Sequence, residues 1–101
     1  MSDDIFNWLE NWFEQHCDGQ WEYENSIVIE TTEKPGWMVM IDVANTRASR
    51  KNFLPIQEER NHRDWIFCAV ADDIFEATCG VHNLREVLGV FRNWIESFED
   101  I

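Results

Sequence analysis

The side chains of this chain with the widest chemistry are Cys17, Cys68 and Cys79 and the imidazoles of His16, His62 and His82. Thiolates and imidazoles are the usual ligands of structural zinc, and a thiol beside an imidazole is a common covalent nucleophile. The spacing favours neither use. None of these residues forms a local ligand pair of the Cys-x-x-Cys kind, and His16 falls on an apolar helix face, where a packed ring is the commoner outcome. Cys68 lies within an apolar run and reads as a small, inert hydrophobe. Cys17 ends a predicted helix without the helix N-terminus or basic neighbours that would activate its thiol. No metal, cofactor or catalytic residue is therefore expected. Widely spaced, odd-numbered cysteines point to a reducing compartment, and the cytoplasm is the expected location.

Carboxylates are the other chemical resource. The 101 residues carry 20 acidic against 8 basic side chains, a formal net charge of -12. With so many acids, pairs able to act as acid and base arise by chance and do not point to an enzyme. Their distribution says more. Residues 1 to 33 contain no Lys or Arg but hold acids from Asp3 to Glu33. Such a field repels nucleic acid and anionic membrane and draws in basic partners. The alternative reading, in which the acids only keep a surface soluble, applies to the average charge more readily than to this stretch.

Within that stretch, Cys17-Asp18-Gly19-Gln20-Trp21-Glu22 sets a tryptophan between two carboxylates just after a helix. One reading is a helix stop followed by a core aromatic. The other is an acidic contact site with an aromatic anchor, the make-up of an interface hot spot for a basic partner. On the second reading Asp18, Trp21, Glu22, Glu24 and Glu30 form the partner-binding set, and reversing Glu22 and Glu24 to Lys leaves the fold's stability almost unchanged.

The elements that must position these residues follow from periodicity. Ile5, Trp8, Leu9, Trp12, Phe13 and His16 recur at helical spacing, with Ser2 or Asp3 as cap and Asp18-Gly19 as stop. Residues 21 to 33 and 37 to 43 read as strands around the turn Lys34-Pro35-Gly36. In the second of them Trp37, Val39, Ile41 and Val43 share one face and Met38, Met40 and Asp42 the other. Residues 44 to 52 read as an exposed loop. Phe53 to Arg60 follows as an edge or bulged strand, because Pro55 cannot donate to a ladder. Trp65 to Val70 is apolar on both faces and predicts a central strand covered on two sides, and Ile74 to Cys79 completes a meander of about five strands. Asn83, with Glu86 three positions on, opens a second helix as a variant capping box, and Leu84 to Phe98 keeps the helical period. The expectation is a single α+β domain over residues 1–101: an antiparallel sheet with both helices on one face and the other face partly open.

Several of these stretches also carry a likeness. Trp8-Leu9-Glu10-x-Trp12-Phe13 leading to Cys17-Asp18-Gly19-x-Trp21-Glu22, Pro35-Gly36-Trp37 before Met38-Val39-Met40-Ile41-Asp42, Asp64-Trp65-Ile66-x-Cys68, and Asn83-Leu84-x-Glu86-x-Leu88 with a later Phe-x-x-Trp together resemble the immunity protein 53 family of bacterial polymorphic toxin systems. The resemblance spans nearly the whole chain. It implies a small α+β protein that protects the producing cell by binding a cognate toxin in the cytoplasm. If that toxin is a nuclease, Asp18, Glu22, Glu24 and Glu30 stand in for phosphates against its Lys and Arg side chains. An acidic adaptor or regulatory module unrelated to toxins is the competing expectation.

Overall fold

The computed structural model describes residues 4–98. Helix α1 spans Ile5–His16, and Asp4 caps it by accepting the Phe6 N–H at 3.1 Å. The cap expected at Ser2 or Asp3 lies outside the described residues. Five strands follow, β1 (Ile27–Thr32), β2 (Gly36–Asp42), β3 (Ile56–Asn61), β4 (Asp64–Ala71) and β5 (Ile74–Cys79), and helix α3 (Leu84–Glu96) comes after them. A short helix, α2 (Trp21–Glu24), stands between α1 and β1. The fold is α+β, with an open antiparallel sheet and the N- and C-terminal helices packed on one of its faces.

The sheet is not the simple meander that the sequence predicts. Its order is β1-β2-β5-β4-β3, so β2 pairs with β5 and the chain crosses to the far edge between β2 and β3. The segment that makes this crossing is pinned rather than loose. Ala48 is buried, the Asp73 carboxylate accepts the Ser49 hydroxyl and the Arg50 N–H at 2.8 Å each, and Val43 N–H donates to the Asp73 carbonyl. The Arg50 N–H first, and then the Ser49 hydroxyl, hold the Asp73 carboxyl below its ordinary pKa.

Apolar periodicity places the core between helices and sheet. The α3 residues Val87, Leu88, Phe91, Trp94 and Ile95 are buried against Val39, Ile41, Cys68, Phe75 and Ala77 of the sheet, with Leu9 and Trp12 of α1 closing the side. Phe91 is the hub, fully buried, with Trp12 and Phe75 both at 5.1 Å and Trp8 at 6.0 Å between ring centroids. Edge-on and tilted arrangements of this kind add to the stabilisation from burial alone.

Two local expectations are corrected. Residues 21 to 24 are helical, not strand, because side chains there bond the backbone and stabilise a turn instead of a ladder. Asn83 does not cap α3 through its side chain. Its Nδ2 donates to Asp64 at 2.9 Å and Glu86 at 3.0 Å, and its Oδ1 accepts the Trp65 N–H at 3.4 Å. Arg60 joins the same cluster by donating to Glu58, Asp64 and Glu86. The β3–β4 hairpin is thereby tied to the start of α3.

Candidate partner-binding surface

The residues with nucleophilic and ligating chemistry are dispersed by this fold. Cys68 and Cys79 point into the core from β4 and β5, and burial pushes their thiols up to about 12 and about 11. His16 is half-buried, donates from Nδ1 to the Trp12 carbonyl at 2.8 Å, and lies against the Trp12 and Trp21 rings. His62 and His82 border a cleft of about 440 Å³ with Lys34 and Arg63 at the end of the sheet. Among the described residues no group of three or more His, Cys, Asp and Glu side chains is placed to hold a metal ion. Cys17 is exposed, and its pKa is raised by desolvation first and then by the Glu22, Glu14 and Asp18 carboxylates. A thiol reagent at pH 7 should therefore label Cys17 slowly and spare the other two. Mass spectrometry of the native protein checks this, and prompt labelling of Cys68 or Cys79 contradicts the burial.

The acidic segment after α1 forms a tight corner. Asp18 Oδ1 accepts the Gln20 and Trp21 N–H groups at 2.9 and 2.8 Å, which holds its pKa below the usual carboxylate value, Trp21 being the larger cause. Glu22 reaches back to accept the Asp18 and Gly19 N–H groups at 3.0 and 2.9 Å, and Gly19 takes a φ of 93° that suits a residue without Cβ. Trp21 is 6% exposed, packs edge-on against Trp12 and Phe13, and donates its indole N–H to the Ala44 carbonyl at 2.8 Å. Its ring belongs to the core. Since Glu22 holds two backbone amides, its reversal to Lys should reduce stability, contrary to the expectation from sequence, whereas Glu24 is exposed. Glu30 is not in this corner. It lies on β1, away from Asp18, Trp21 and Glu22.

Glu30 belongs to the uncovered face of the sheet. Cross-strand pairing sets Glu30, Met38, Thr78, Phe67 and Gln57 in one row across all the strands. The next row runs Val28, Met40, Glu76 and Ala69. The apolar run Trp65 to Val70 predicts two covered faces. In the fold the Ile66 and Cys68 side is buried, while Phe67 is 38% exposed on a face that no helix covers. The alternation of Met38 and Met40 was visible in the sequence, but their neighbours Phe67 and Glu76 were not, because pairing partners lie far apart along the chain.

A family model described as immunity protein 53 matches residues 6–96. The chain belongs to the immunity protein 53 family. The match takes in every strand and nearly all of α1, together with the whole of α3, so the family's pattern and this fold coincide. No curated protein matches the chain, and no solved structure does. Membership makes the chain an immunity protein of a toxin system, with a toxin as its partner.

Proposed function

We propose that this immunity protein is a cytoplasmic antitoxin of a bacterial polymorphic toxin system that works as one non-enzymatic domain, binding its cognate toxin and occluding the toxin's active surface. The family match over residues 6–96 carries this reading. The net charge of -12 supports a basic toxin, with a nuclease as the activity whose substrate-binding cations the acids would meet. The same charge disfavours nucleic acid and anionic membrane as partners of the immunity protein itself. Among the described residues no helix is long and apolar enough to cross a membrane.

The contact set is proposed as Asp18, Trp21, Glu22, Glu24 and Glu30, with divided labour. Glu24 and Glu30 are exposed and meet toxin cations directly. Asp18 and Glu22 present a rigid acidic edge because their backbone bonds fix them, and Trp21 supports that edge from below.

Co-expression with the toxin encoded beside the gene tests the proposal. Cells should survive, and a toxin–immunity complex should co-purify, weakening as salt is raised. Continued cell death without a complex overturns it and favours an acidic adaptor unrelated to toxins.

A further inference from the structure

We infer that the uncovered face of the sheet is the surface on which the toxin docks, and that it receives a toxin segment presenting Lys or Arg beside an apolar side chain. The inference rests on the immunity reading above.

The centre of this face is apolar and adaptable. Met38, Met40 and Phe67 line a depression of about 130 Å³ together with Glu76 and Thr78. Unbranched thioether side chains repack around an incoming group more readily than branched ones. An aromatic ring left 38% exposed in mid-sheet is the kind of anchor around which interface energy concentrates.

The charge on the face is predominantly negative. Register places Glu30, Glu59 and Glu76 there, with Asp42 at one end. Lys34 sits at the opposite end, its Nζ 5.4 Å from the centre of the Trp65 ring. The ion pairs of Arg60 and Arg85, and that of Arg92 with Glu96, engage Glu58, Asp64, Glu86, Asp4 and Glu96, none of them on this face. Glu76 stands on β5, the middle strand of the order, between Met40 and Ala69. Glutamate is a poor strand former, and here it has apolar cross-strand neighbours instead of a cation. A partner's guanidinium or ammonium would meet this exposed carboxylate between Met40 and Ala69, and a docked apolar side chain would shut water out around the pair, where a charge-assisted hydrogen bond is strongest.

The same charges argue against a second copy of this chain as occupant. Face-to-face pairing would bring Glu30, Glu59 and Glu76 close to their own counterparts, and like charges brought together at an interface oppose association. A basic protein meets no such penalty.

Calorimetric titration of a catalytically disabled form of the neighbouring toxin tests the inference, with Glu76→Lys and Phe67→Ala compared with Glu96→Lys, which makes the same charge change at an exposed position of α3, outside the contact set. Glu76→Lys and Phe67→Ala should each weaken binding by at least about tenfold, with melting temperatures near that of the unaltered protein, while Glu96→Lys stays within about threefold. Should Phe67→Ala fail to fold, Glu76→Gln keeps the shape and must still lose about tenfold. Unaltered affinity in Glu76→Lys and Glu76→Gln, with the native complex intact, overturns the docking face and leaves the immunity reading standing. Absence of binding by the native protein overturns both. A homodimer that Glu76→Lys dissolves overturns the assigned occupant.

Discussion

Phe91→Ala should destabilise the protein by about 3–5 kcal/mol and lower its melting temperature by roughly 15–30 °C. The ring is fully buried and holds edge-on or tilted contacts with Trp8, Trp12, Phe75 and Trp94, so its removal strips one partner from each of four aromatic side chains. Those neighbours come from α1, the sheet and α3 itself, and large rings anchored elsewhere collapse poorly into a gap. Urea denaturation at constant slope measures the loss. A change below about 1 kcal/mol would mean that α1 and α3 do not meet through this ring. With a total stability of about 5–15 kcal/mol expected for a domain, the variant should be largely unable to protect a cell even though no proposed contact residue is touched.

Gly36→Val should cost about 3 kcal/mol, at the upper end of the overpacking range. A Cβ at this position would collide with the carbonyl oxygen of Cys79 and lie 3.2 Å from its carbonyl carbon. Both obstacles are backbone of the central strand, so no side-chain rotation relieves them. The chain must instead separate β2 from β5 near Trp37 and Cys79, where their pairing begins. Loss of near-ultraviolet circular dichroism from the packed tryptophans, with a lowered melting temperature, is the expected signature. Native-like spectra and melting would show that the two strands do not approach so closely at that end.

Much of the architecture was legible because it is local. The helical recurrence of Leu9 and Trp12, and of Val87, Phe91 and Trp94, marks α1 and α3, and β5 falls on the expected residues Ile74 to Cys79. What was missed depended on competition between local and distant partners. Trp21 to Glu24 reads as strand by composition, yet the Asp18 and Glu22 carboxylates seize backbone amides and hold a helical turn. Asn83 has the position of a cap, yet Asp64 and Glu86 arrive within bonding distance of its amide and claim it.

The acidic set was legible in part for the same reason. Asp18 and Glu22 are near in sequence and near in space, whereas Glu30 joins Glu59 and Glu76 on a surface assembled from separate strands. An apolar strand face also reads alike whether the protein's own helix covers it or leaves it bare. Phe67 shows this, since its apolar surroundings predict burial and the placement of both helices on the other side leaves it exposed.

Composition, period and motif were thus enough for α1, α3, the strands from β1 to β5, the acidic bias without cations through residue 33 and the family, though not for the helical turn at Trp21–Glu24. The strand order, the burial of Trp21 and the row that joins Glu30 and Met38 to Phe67 emerge only once the chain is folded. Hydrogen-bonded pairing between strands is non-local: the period of two says which side chains share a face, and only the register says which of them meet.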